Sequence, residues 1–176
     1  MPELSGTLPL QQSMCILVLA MWLTPETFRT VVASTPLVSI DLVVQNARGQ
    51  ILLGQRLNRP AQGFWFVPGG RILKNESLDD AFVRLTKVEL GQCYERNEAR
   101  FLGVYEHFYA DSIFGQGQGG ADTHYVVLGY LLVVGDEQLV SPPQDQHGQY
   151  RWWDMSHMLA SAQVHHNTRA YLQVLG

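Results

Sequence analysis

Apolar and polar residues alternate between positions 38 and 45. Val38, Ile40, Leu42 and Val44 fall on one side, with Ser39, Asp41, Val43 and Gln45 on the other. A period of two predicts a half-buried strand. Residues 46–49 (NARG) supply a turn, and 50–56 read as the hairpin partner. A helix is expected ahead of this pair, with Thr24 as N-cap, Pro25 in its first turn and Glu26 behind it. It should end before Pro36, which disfavours helical geometry at Thr35. After a loop at 57–63, residues 64–67 read as a short strand leading into Pro68-Gly69-Gly70. The period then changes. Leu78, Ala81, Phe82, Leu85 and Val88 recur at helical spacing, opened by a Ser77 capping pattern and closed by Gly91. Strands are predicted at 99–109 and 123–134, around a flexible tip at 115–120 (GQGQGG). A Pro-containing loop at 141–149, a strand at 150–153 and helices at 155–160 and 167–175 follow. Mixed strands with a helix after a glycine-rich turn predict an α/β/α sandwich.

Length and charge narrow the function. A chain of 176 residues can bury one sizeable core, and 46% hydrophobic with 16% charged residues is ordinary for a globular domain. Twelve basic residues against sixteen acidic ones give a net charge of -4, with no basic run to track a nucleic-acid backbone. Cys15 and Cys93 form no ligand cluster and read as unpaired thiols in a reducing cytoplasm. The apolar run 14–23 is too short to span a bilayer, and no Lys or Arg precedes Arg29 to make it a secretory signal. Residues 1–20 are therefore expected to be a peripheral extension on a single domain covering 21–176.

The candidate chemistry centres on 69–91, GGRILKNESLDDAFVRLTKVELG. Residues 85, 88 and 89 are spaced to share one helical face. Two of them, Leu85 and Val88, are apolar, so Glu89 is the one carboxylate there. Taken singly, Glu89 reads as a surface glutamate, Arg56 and Arg71 as solvated charges, and Asp41 as a solvated strand position. Together, Gly70, Glu76, Arg84, Glu89 and Gly91 resemble the Nudix box, G-x5-E-x7-R-E-U-x-E-E-x-G, with Leu85 and Val88 where two glutamates belong. A full box offers several carboxylates to several cations; this one does not.

The segments 34–71, 123–130 (THYVVLGY) and 145–152 (DQHGQYRW) are similar to the GDP-mannose mannosyl hydrolase branch of the Nudix superfamily, which lacks the same two glutamates. The resemblance runs from Met21 to about Tyr171. It implies a Nudix fold, a homodimer, and hydrolysis of GDP-mannose, with GDP-glucose a further candidate, at the anomeric carbon. It also implies one Mg2+ per subunit, held by the Gly69 carbonyl, Glu89 and Gln146. Three oxygen donors suit a hard cation that keeps waters and binds substrate phosphates. His147 is implied as general base, a part its near-neutral pKa suits. Arg56 and Tyr125 would contact the departing diphosphate, with Arg71 assisting, and Asp41 would sit in the active site near Arg56. Trp22, Leu23 and Phe28 are implied to reach the nucleotide across the dimer, although on their own they read as a hydrophobic staple. His107 is a further polar candidate. Two other readings stay open: a conventional Nudix pyrophosphohydrolase acting at phosphorus, and a non-catalytic module that only binds a nucleotide sugar.

Overall fold

The computed structural model describes residues 23–116, 120–135 and 147–175. In chain order it contains α1 (Pro25–Ser34), β1 (Leu37–Gln45), β2 (Ile51–Arg56), β3 (Trp65–Phe66), β4 (Gly69–Arg71) and α2 (Leu78–Leu90). There follow β5 (Arg100–Tyr109), β6 (Asp111–Ser112), β7 (Gly115–Gln116), β8 (Thr123–Val133), β9 (His147–Trp153), α3 (Met155–Ala160) and α4 (His166–Ala170). Short 3-10 turns lie at Arg96–Glu98 and Tyr171–Val174.

β1 organises the sheet. It runs parallel to β8 from Leu37 opposite Tyr125 to Gln45 opposite Val133, and antiparallel to β4, with Asp41 opposite Gly69. β5 flanks β8 antiparallel, while β2 pairs with both β3 and β9. The sheet is therefore mixed, as expected.

Side chains of β1 leave alternately for two cores. Ile40, Leu42 and Val44 pack with Ala81, Phe82 and Leu85 of α2. Val43 packs on the opposite face with Trp153, Met158 and Tyr171. Helical layers on both faces make the α/β/α sandwich. They also explain why β1 is not the half-buried strand its alternation predicts: Ser39, Asp41 and Val43 are buried along with Ile40, Leu42 and Val44, and Val38 is the exposed one. A polar residue on such a central strand sits in low dielectric.

Local chemistry accounts for the helix after the glycine turn. The Ser77 side chain accepts a hydrogen bond from the Asp80 amide, and Gly91 closes the helix in the left-handed region at φ 78°. Its buried face differs from the predicted stripe. Leu85 is 3% exposed, whereas Val88 is 44% exposed, and Thr86 and Glu89 are buried instead. At about 100° per residue, position 89 lies 40° from position 85, while position 88 turns 60° the other way toward solvent.

Three further boundaries move. Residues 69–71, read as loop, become β4 because β1 offers them an edge. β9 begins at His147 rather than at 150, since β2 continues to offer partners as far as Arg56. The segment expected as one helix at 167–175 divides into α4 and a 3-10 turn. The expected extension at 1–20 and residues 117–119 of the predicted tip lie outside the described residues. No described helix is long and apolar enough to cross a membrane.

Candidate active site

The glycine turn is built by steric exclusion. A Cβ on Gly69 would collide with the Ile40 carbonyl oxygen and stand 3.0 Å from Asp41 Oδ1, so β4 can approach β1 only with glycine there. At Gly70 a Cβ would meet Leu85 Cδ2 at 2.7 Å, which seats the turn directly on α2. Arg84 then ties the loop down. Its Nε and Nη2 donate to Glu76 Oε1 and Oε2 at 2.6 and 2.8 Å, and Nη2 also donates to the Arg71 carbonyl at 2.8 Å. Glu76 in turn accepts the Leu73 amide at 2.9 Å. Burial works against the Glu76 carboxylate, but these donors prevail and hold it below the usual range. Glu76 and Arg84 thus shape the loop.

Glu89 is different. It is 2% exposed, and burial pushes its carboxyl up to about 7 against the opposing fields of Arg56 and Arg84. A divalent cation would favour the ionised form of such a carboxylate. Among the described residues no three His, Cys, Asp or Glu side chains gather as a metal site. The expected set is of another kind, one carboxylate with backbone and amide oxygens, and the glycine cradle of β4 fits it. Gln146 lies outside the described residues.

Arg56 is the hub. Its guanidinium carbon is 5.6 Å from the Phe66 ring centre, and its charge acts on Asp41, Glu89, Tyr109, Tyr125 and His165. Buried Asp41 accepts the Tyr171 hydroxyl at 2.8 Å. Burial drives its carboxyl up to about 7, with Tyr171 and Arg56 pulling the other way. Tyr125, opposite Leu37 and His107 in the ladders, is raised by burial and lowered by Arg56 and Arg71. The Arg71 guanidinium stacks 3.9 Å over Phe28, whose ring lies 5.6 Å from Phe114. The backbone of His147 opens β9 directly opposite Arg56.

Arg56, Asp41, Tyr125, Arg71, Gly69 and Glu89 therefore lie close together, and Phe28 reaches them through Arg71. Leu23 is 47% exposed beside the α1 N-cap, and Trp22 lies outside the described residues. Tyr171, Tyr109, His165 and Asn167 were not anticipated. Tyr171 stands 130 positions from Asp41, and no spacing rule connects them. His107, the further polar candidate, is buried against Phe66, Tyr109 and Tyr171.

A mixed-sheet α/β/α sandwich with a glycine turn, an Arg–Glu clamp and a buried helical carboxylate defines a Nudix fold with its box in place. The NUDIX domain family matches residues 35–174, and the chain belongs to that family of hydrolases, which generally use a divalent metal, typically Mg2+. It is 42% identical over 114 residues, 65% of its length and 69% of the relative's, to the low-salt glycan biosynthesis protein Agl8 of Haloferax volcanii. Among solved structures it is similar to a MutT NUDIX hydrolase from Burkholderia pseudomallei, with 26% identity and a TM-score of 0.63 over 81% of this chain and 100% of that one. The NUDIX domain of Shewanella oneidensis NrtR, complexed with ADP ribose, shares the fold at 20% identity and a TM-score of 0.58, over 90% of this chain and 96% of that one.

Proposed function

We propose that this Nudix hydrolase cleaves a GDP-hexose, GDP-mannose first and GDP-glucose as a further substrate, into GDP and free hexose. The observation that carries the reading is the acid-poor box helix. Leu85 is core, Val88 points to solvent, and Glu89 is the one buried carboxylate of that helix. Such a helix suits one cation better than several. The glycan biosynthesis role in the relative's name supports a sugar-bearing substrate.

The Gly69 carbonyl, Glu89 and Gln146 would hold Mg2+. When bound, the cation draws charge from the departing diphosphate. The chain's own residues do the rest. His147 takes a proton from water as the water oxygen bonds to C1, on the face opposite GDP. The C1–O bond breaks through an oxocarbenium-like state, its electron pair leaves on the diphosphate oxygen, and the sugar is inverted. Arg56, Tyr125 and Arg71 neutralise the leaving charge, so a carboxylic general acid is not required. Asp41 lines the same site beside Arg56. Trp22 and Leu23 would contact the nucleotide across a homodimer in the cytoplasm, whereas Phe28, expected to do the same, meets the site of its own chain through Arg71.

Family membership also supports a second reading, cleavage at phosphorus. Hydrolysis of GDP-mannose with Mg2+ in ¹⁸O-water separates the two. Label on the hexose is expected; label on phosphate, or GMP with hexose phosphate as products, would overturn the proposal. Catalysis of neither kind would leave a binding module.

A further inference from the structure

Beside the Arg56 cluster a cavity of about 390 Å³ opens between the loop after β2 and the end of β5. Phe64 and the ring of Tyr109 give it apolar surface, and Arg59, Asp111, His165 and the Tyr109 hydroxyl give it polar groups, while the Phe108 ring leaves β5 on the opposite face and stacks on His124 at 4.3 Å.

The polar groups are held in defined states. Arg59 Nη1 donates to Asp111 Oδ2 at 3.2 Å, the two side chains being 37% and 15% exposed. His165 Nδ1 accepts the Asn167 amide hydrogen at 3.3 Å, which puts the proton of the neutral ring on Nε2. The Tyr109 hydroxyl accepts from Asn167 Nδ2 at 3.2 Å and keeps its own hydrogen to donate. Segment 163–165 is stitched to β3 by Trp65 N–H to the Gln163 carbonyl at 2.9 Å and His165 N–H to the Trp65 carbonyl at 3.1 Å. The wall is also continuous with the hub: Arg56 N–H donates to the Phe64 carbonyl at 3.0 Å, and Gly63 N–H to the Arg56 carbonyl at 2.8 Å.

A pyranose has apolar C–H patches and a ring of hydroxyls, each both donor and acceptor. Aromatic walls accept the patches. A guanidinium and a carboxylate hydrogen-bonded to each other present donors and acceptors side by side, which suits neighbouring hydroxyls. The pair carries no net charge, so it suits a neutral polyol rather than another phosphate. The backbone of Arg56 bonds to that of Phe64 in the cavity wall, so the cavity adjoins the strand end whose guanidinium would meet the diphosphate.

We propose that the cavity is the hexosyl subsite, with the Arg59–Asp111 pair reading the hydroxyl pattern of the sugar. This rests on the GDP-hexose reading above. The test is equilibrium binding of GDP, GDP-mannose and GDP-glucose, with Mg2+, to the full chain carrying H147Q so that substrate stays intact. Adding D111N or R59Q should weaken GDP-mannose about 10–100-fold, the value of hydrogen bonds to charged groups, and leave GDP within about twofold. Arg59 lies on a loop, so R59Q carries the test if D111N unfolds. Parallel weakening of GDP would mean that the pocket holds the nucleoside, and an unchanged GDP-mannose affinity would mean that it holds neither; both overturn the subsite. If GDP-mannose discriminates as expected but ¹⁸O appears on phosphate, cleavage at carbon fails while the subsite stands. If neither ligand binds the chain lacking D111N and R59Q, both fail together.

Discussion

The Tyr171 hydroxyl donates a 2.8 Å hydrogen bond to Asp41 Oδ2, fastening the 3-10 turn after α4 to the middle of β1. Both partners are buried, so the bond is made in low dielectric. Y171F should raise the Asp41 pKa above its present value of about 7, because a group that favours the carboxylate is removed. The expected loss of stability is about 1–3 kcal/mol, read by urea denaturation at neutral pH.

The two missing box glutamates should behave differently when restored. V88E adds a charge at a position already 44% exposed, and stability should stay within about 0.5 kcal/mol. L85E places a carboxylate in the core beneath Gly70 and should cost about 3–5 kcal/mol. Chemical denaturation of the two variants side by side checks this contrast.

Glu89 links metal to pH. Its folded-state pKa is raised from 4.5 to about 7, so its contribution is fully present below 4.5 and lost as pH rises through 7. Asp41, raised from 3.8 to about 7, acts in the same direction. Mg2+ should stabilise the protein increasingly above neutrality, in proportion to RT ln(1 + [Mg2+]/Kd). E89Q should flatten this pH dependence and abolish the Mg2+-induced rise in Tm. A metal effect that survives E89Q would remove Glu89 from the ligand set.

Two buried histidines act at the acid end. His107 and His165 are each lowered from 6.5 to about 4, chiefly by burial. A depressed base contributes stability that is present above 6.5 and lost as pH falls through 4. Native-state stability should therefore decline between those values. H107F keeps the ring packing of Phe66, Tyr109 and Tyr171 and removes the buried Nε2, which has no hydrogen-bond partner among the described residues. It should hold its Tm further into acid than the unsubstituted chain, as pH-dependent calorimetry would reveal.

The Arg84–Glu76 clamp is the remaining target. R84K cannot donate two parallel hydrogen bonds to the carboxylate while also reaching the Arg71 carbonyl. A loss of about 1–3 kcal/mol is expected. Turnover should fall as well, because the displaced loop carries Gly69 and Arg71; unchanged turnover would mean that the clamp serves stability alone.

Local patterns in the sequence determined most of the longer elements of this protein and their order, but not the short strands β4, β6 and β7. Alternation over 38–45 marked β1, the 3.6-residue stripe with Ser77 and Gly91 marked α2, and the spacing of Gly70, Glu76, Arg84 and Glu89 marked the box, because those patterns are local. What the chain could not determine locally was which polar residues would lose water. Asp41 alternates like a solvated position, yet a second helical layer buries it; Val88 sits in the predicted stripe, yet the way α2 packs turns its Glu89 side to the core and leaves Val88 outside. The Tyr171–Asp41 bond, the gathering of charges around Arg56 and the Arg59–Asp111 cavity all join residues far apart in the chain. Burial is a property of layers, and only the tertiary structure assembles layers.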